Sequence, residues 1–286
     1  MPPLPRRLLR WKLPRRSRPG HLVTLPAVYS PELDNRRDVL IYLPHGYAGS
    51  ARRYPVIYMH DGQNLFDPRT SFAGAWGVDA AMESASRKGH DAIAVGISHM
   101  ERERIAELSP FADATPAGRG AAYLDFLVHT LKPQVDAHFR TRAAATHTGI
   151  AGSSLGGLIS LAGFFLHPRT FGFVGALSPS LWYHGGGIFP LIDAAPFVRG
   201  RIYLDMGSLE SANGVAQARR LRDLLVDKGY RAGEDLQFVV DRKGRHTEAA
   251  WGRRFRKALP FLLSGRRQGA RRRRGRARRP HPESAS

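Results

Sequence analysis

The chain has 286 residues, 42% of them apolar and 24% charged, and contains no cysteine. That length can bury a sizeable core as one α/β domain, and the missing cysteine excludes disulfides, a thiolate nucleophile and Cys-ligated metal. The formal net charge of +20 points to nucleic acid until it is located: residues 1–20 and 265–286 hold +15 of it and residues 21–264 only +5.

Residues 1–20 carry Arg6, Arg7, Arg10, Lys12, Arg15, Arg16 and Arg18 among Pro and Gly. Like charges in such company cannot bury enough apolar surface to fold, so a disordered tail is expected. The stretch Leu8-Leu9-Arg10-Trp11-Lys12-Leu13-Pro14 is broken by charge and makes no signal-peptide core. No segment approaches the roughly 18 apolar residues of a spanning helix. A soluble, cytoplasmic protein is the expectation.

Asp38-Val-Leu-Ile-Tyr-Leu43 reads as a strand ending at Pro44, and Pro55-Val-Ile-Tyr-Met59 as a buried one. Asp79 to Lys88 reads as a helix closed by Gly89, Ala92 to Ile97 as a buried strand, and residues 98–119 as a long polar loop. Leu124, Leu127, Val128, Leu131 and Val135 have helical spacing within Ala121–Phe139.

Thr148-Gly-Ile-Ala151 then leads into Gly152-Ser153-Ser154-Leu155-Gly156, followed by the apolar run Leu158–Phe165. This is G-x-S-x-G between a strand and a helix, the setting of a nucleophile elbow with Ser154 lifted at its tip. A side chain on either glycine would collide with neighbouring strand or helix in so tight a turn. Phe173 to Leu177 is a strand, and Ser178 to Arg199 is irregular, with Pro and three consecutive Gly. Ile202–Met206 is a strand, Val215–Lys228 a helix, Leu236–Val240 a strand and Glu248–Leu263 the last helix. Strands alternating with helices imply βαβ units, and so a mostly parallel central sheet flanked by helices. One α/β domain over 21–264 between two tails, 1–20 and 265–286, is the simplest organisation.

Serine needs a base, and the base an orienting acid. In the α/β-hydrolase order both lie downstream, at the ends of later strands. Four histidines follow Ser154: His167, His184, His246 and His281. His281 is in the tail, His167 ends the elbow helix and His184 lies in the irregular insert. His246 follows the strand at 236–240 and precedes the last helix, which is the place of the base. For the acid, Glu210 sits in the loop beyond the strand at 202–206 and can swing toward the histidine. Asp205, fixed inside that strand, is the second choice. The oxyanion donors would be the N–H of Leu155, at the helix start, and that of Gln63, in the loop His60-Asp61-Gly62-Gln63-Asn64, with Gly62 giving the turn. His60 and Asp61 read as structural rather than as a metal pair.

Four separated segments carry a resemblance: Tyr58-Met-His-Asp-Gly-Gln-Asn-Leu-Phe-Asp67, Ala75-Trp-Gly-Val-Asp79, Gly152-Ser-Ser-Leu-Gly-Gly-Leu-Ile-Ser160 and Leu177-Ser-Pro-Ser-Leu-Trp182. Over about residues 20–264 the chain resembles the putative-esterase family of α/β-hydrolases, which includes siderophore esterases, S-formylglutathione hydrolase and feruloyl esterases. The resemblance implies an α/β-hydrolase fold and carries the family's serine onto Ser154, its histidine onto His246 in Gly244-Arg-His246, and its acid onto Glu210 in Gly207-Ser-Leu-Glu210. Arg104 and Glu107 match a segment near the active-site mouth, as substrate-side or loop-bracing residues. Trp182 and Tyr183 are expected to line the acyl or alcohol pocket.

The chemistry expected is hydrolysis of a carboxylic ester, aryl or siderophore-type, without metal or organic cofactor. An acyltransferase with the same triad and a silent binding protein on this scaffold are the rivals. Contact of the Arg-rich tails with nucleic acid or an anionic surface would be salt-sensitive.

Overall fold

The computed structural model describes residues 20–264. Both basic tails, and the nucleic-acid or anionic contact expected of them, lie outside the described residues. The strands are β1 His21–Ser30, β2 Asn35–Leu43, β3 Val56–Met59, β4 Ile93–Ile97, β5 Thr148–Ser153, β6 Phe173–Leu177, β7 Arg201–Gly207 and β8 Leu236–Asp241. They form one sheet in the order β1-β2-β4-β3-β5-β6-β7-β8. β1 pairs antiparallel with β2 and β2 with β4, and every later pairing is parallel.

The helices are α1 Val78–Ser86, α2 Arg104–Glu107, α3 Gly120–Asp125, α4 Lys132–His138, α5 Leu155–Leu166, α6 Ile188–Ala194, α7 Gly214–Asp227 and α8 Glu248–Leu263. The period of two along each strand sends alternate side chains to opposite faces. Val56 and Tyr58 of β3, Val95 of β4 and Ile150 of β5 pack with residues of α5, α6 and α7. Ile57, Met59, Ala94 and Ala151 face the other way, onto Met82 of α1 and Phe255 and Leu259 of α8. Burial on both faces explains why the parallel strands read as continuous apolar runs. The result is a three-layer α/β domain of α/β-hydrolase type.

Four elements differ from the sequence expectation. β1 was not expected; Pro26 lies inside it and the pairing with β2 shifts between Leu25 and Val28, since proline has no N–H for the ladder. The helix expected over Ala121–Phe139 is helical throughout but holds a π-helical stretch, Phe126–Leu131, between α3 and α4. Pro133 sits in the first turn of α4 and cannot donate to the turn before it, which is where the regular ladder gives way. The long loop and the irregular insert also carry short helices, α2 and α6. Among the described residues no helix is long and apolar enough to cross a membrane.

Candidate active site

The parallel strands deliver their C-terminal ends to one edge of the sheet, and the candidate residues follow those ends. Ser154 joins β5 to α5 with φ 56° and ψ −124°. This region strains a residue with a Cβ, at about 1–3 kcal/mol. The chain can make the turn because Gly152 is bare: a Cβ there would lie 2.7 Å from Gly156 C and 2.8 Å from His60 Cδ2. The backbone is held from the next strand, with Ser154 N–H donating to Leu177 O at 3.1 Å and Ser180 N–H to Ser154 O at 3.0 Å. The Ser154 hydroxyl lies 3.1 Å from Ser180 Oγ.

Glu210 and His246 are brought together. His246 Nδ1 is 2.9 Å from Glu210 Oε2, and the Trp251 ring meets the imidazole edge-on, centroids 4.7 Å apart. Among the described hydrogen bonds none joins His246 to Ser154, whose hydroxyl contact is Ser180. The second oxygen, Glu210 Oε1, accepts from Ser178 Oγ at 2.7 Å, Gly207 N–H at 2.9 Å, and Arg254 Nη1 and Nη2 at 3.1 Å each. Burial alone would raise the pKa of this carboxyl. The hydrogen bonds from His246 and Ser178, with the charge of Arg254, outweigh burial and hold it below the usual glutamate value.

Asp205, the second choice for the acid, lies fully buried in β7. It accepts from Ser178 N–H at 3.0 Å and lies 3.3 Å from Arg254 Nε. Burial pushes its pKa up to about 7, against the opposing charge of Arg254. Its described contacts shape the loop after β6.

The candidate oxyanion loop carries a surprise. Its left-handed residue is Asp61, φ 55° and ψ 49°, rather than Gly62. Arg104 grips the Asp61 carboxylate with two bonds, Nε–Oδ1 2.6 Å and Nη2–Oδ2 2.8 Å, which ties α2 to this loop. Gln63 is fixed from its side chain, which accepts from His99 N–H at 3.1 Å, and from its carbonyl, which accepts from Thr70 and Ser71 hydroxyls at 2.8 and 3.1 Å. Neither Gln63 N–H nor Leu155 N–H has an acceptor among the described bonds. His60 is buried beneath, between Tyr123 OH at 2.8 Å and Ser160 Oγ at 3.0 Å. Burial lowers its pKa to about 4, so it stays neutral. Glu107 pairs instead with buried Arg37 at 2.7 Å, tying α2 to β2.

Trp182 is 64% exposed, whereas Tyr183 packs on the core and stacks with Phe111 at 6.4 Å. Arg254, Ser178, Ser180 and Trp251 were not singled out from sequence. Arg254 had a signal: it occupies the apolar stripe of α8 with Ala250, Trp251 and Ala258, all buried, where an unpaired charge would be costly. The site can therefore present a hydroxyl at a strained turn, an imidazole oriented by a carboxylate and two unengaged backbone donors.

Residues 30–262 match the family described as putative esterase. YbbA of Bacillus subtilis is 24% identical over 244 residues, covering 80% of this chain and 92% of that protein. The siderophore triacetylfusarinine C esterase of Aspergillus fumigatus is 33% identical over 137 residues, 46% of this chain and 45% of that enzyme, so less than half of its length is spanned. The crystal structure of an IroE-like serine hydrolase from Shewanella oneidensis superposes with a TM-score of 0.69 over 85% of this chain and 80% of that one. At 19% identity that likeness is one of fold.

Proposed function

The chain belongs to the putative esterase family, and from that premise we propose that it hydrolyses carboxylic esters through an acyl-enzyme on Ser154. The observation that carries this reading is the 2.9 Å contact of His246 Nδ1 with Glu210, at the same sheet edge as the strained serine. In the reaction Ser154 Oγ leaves Ser180 and turns to His246 Nε2; such contacts tighten when substrate is bound. It attacks the ester carbonyl as its proton passes to that nitrogen. Glu210 accepts the Nδ1 proton in a hydrogen bond and stabilises the imidazolium. The carbonyl oxygen becomes an oxyanion between the N–H groups of Leu155 and Gln63.

Collapse of the tetrahedral intermediate breaks the ester C–O bond, and His246 gives its proton to the departing alcohol. Water then follows the same route and frees the acid and Ser154. No step in this sequence calls for a metal or an organic cofactor. Exposed Trp182, beside the loop that holds Ser180, favours an aryl or hydrophobic ester, and the name of the Aspergillus relative extends the class to siderophore-type esters.

The test is turnover of p-nitrophenyl esters by wild type, Ser154→Ala and His246→Ala. Each variant should lose on the order of 10⁴- to 10⁶-fold in kcat. Equal cleavage of the whole acyl series by wild type and Ser154→Ala would overturn the proposal. A panel of ferric and apo siderophores, feruloyl esters and acetylated sugars then assigns the substrate.

A further inference from the structure

We propose that Arg254 is a positioning residue of the reaction: it anchors one oxygen of Glu210 so that the other stays on His246. The inference rests on the triad proposed above and adds what holds that triad in register. Glu210 lies in a loop, three residues past the end of β7. A glutamate there has rotatable bonds enough to leave a half-exposed imidazole unless something else holds it. Oε1 meets four donors, two of them from Arg254, while Oε2 has His246 as its described partner. The carboxylate therefore has one anchored oxygen and one working oxygen.

Arg254 is itself fixed from below. It is 2% exposed, and its Nε lies 3.3 Å from Asp205 Oδ2. Its Nη2 also donates to Ser178 Oγ at 2.7 Å. Ser178 joins the two carboxylates, with its N–H on Asp205 and its hydroxyl on Glu210. A guanidinium whose only task was to neutralise Asp205 would have no need to commit both terminal nitrogens to Glu210. The planar fork of arginine can serve a strand carboxylate and a loop carboxylate at once, which the single ammonium of lysine cannot do with the same geometry. The loop is shaped for this contact: a Cβ on Gly207 would overlap Glu210 Oε1 and come within 2.5 Å of Gly244 O.

The experiment is steady-state p-nitrophenyl ester hydrolysis by the full chain with Arg254→Met, Arg254→Lys, Ser178→Ala, Glu210→Gln and the double variant Arg254→Met/Glu210→Gln. Arg254→Met should lower kcat by about 100-fold, the scale of a misplaced catalytic group, with KM nearly unchanged. Its acid limb should move to higher pH, because one cause that keeps Glu210 ionised is gone. Arg254→Lys should recover part of the rate. The double variant should be no slower than Glu210→Gln alone, since Arg254 acts through that carboxylate.

Ser178→Ala keeps every charge and removes only the bridging hydroxyl. It should lower kcat in the same direction by a smaller factor, and it decides the matter if Arg254→Met does not fold. Multiplicative losses in the double variant, or a fall in kcat with the acid limb unmoved, would overturn the inference. So would wild-type kcat in Ser178→Ala and Arg254→Lys together. Loss in Glu210→Gln with wild-type kcat in Arg254→Met sinks this inference alone, whereas wild-type turnover in Glu210→Gln sinks the acid assignment and this inference with it.

Discussion

Glu210→Gln removes one charge and almost no shape, and its effect follows from which oxygen is anchored. Glu210 Oε1 faces four donors, so the amide oxygen of Gln must take that place. The amide NH2 then faces His246 Nδ1, now 2.9 Å from Oε2. To accept from the amide, Nδ1 must carry no proton, and the imidazole proton moves to Nε2. A protonated Nε2 cannot take the proton of Ser154. The same inversion of tautomer in the Ser-His-Asp template costs about 10⁴ in kcat, or about 5 kcal/mol of transition-state stabilisation. Ground-state binding does not involve the tautomer, so KM should change little. The assay is p-nitrophenyl butyrate hydrolysis with Ser154→Ala as background. A kcat within about tenfold of wild type, or a loss expressed in KM alone, would refute the reasoning.

Three further outcomes are expected. Gly207→Ala should displace Glu210, because the added Cβ overlaps Oε1, and kcat should fall by about 100-fold with substrate affinity retained, read from kcat and KM. Arg104→Ala frees Asp61 and lets the Gln63 N–H drift, so kcat should fall by up to about 100-fold, as for a weakened oxyanion donor; a rise in KM with kcat intact would instead make Arg104 a substrate-side residue. The third concerns stability against pH. Folded His60 takes up its proton near 4 and unfolded His60 near 6.5, so stability is lost as pH falls through that window, by about 3 kcal/mol. Folded Asp205 keeps its proton up to about 7 against 3.8 unfolded, so its contribution is full below 3.8 and is lost as pH rises toward 7. The two oppose each other between about pH 4 and 6.5. Asp205→Asn should therefore steepen the loss of urea stability on acidification, and equal slopes in variant and wild type would contradict this.

The parallel half of the domain was legible because its strands are buried on both faces and read as short apolar runs between helices. The antiparallel β1 was not, since Pro26 interrupts its alternation and only pairing with β2 compensates. The π-helical stretch was hidden for a related reason: Leu124, Leu127 and Leu131 keep a helical rhythm while one extra residue is absorbed between them. At the candidate site, the places of the elbow, His246 and Glu210 could be read because each follows a strand end in a fixed order. The contacts between them could not, because they depend on rotamers and on distant partners. Ser180 and Arg254 lie 26 and 44 residues from the atoms they touch, Ser154 Oγ and Glu210 Oε1. The turn assigned to Gly62 falls on Asp61, where two bonds from Arg104 hold a conformation that glycine would adopt unaided.

The location of Arg254 on α8 also orders events in time. A ribosome that has released the chain only as far as α7 has supplied Ser154, Glu210 and the proposed oxyanion donors, but neither His246 nor the guanidinium. Trp76, which packs against Trp251 and Phe255, is likewise without its partners. The proposed nucleophile thus emerges well before its proposed base. On the proposed triad, hydrolytic competence waits for the last described helix to dock, so esterase turnover would report completed folding and a half-made polypeptide would stay chemically silent.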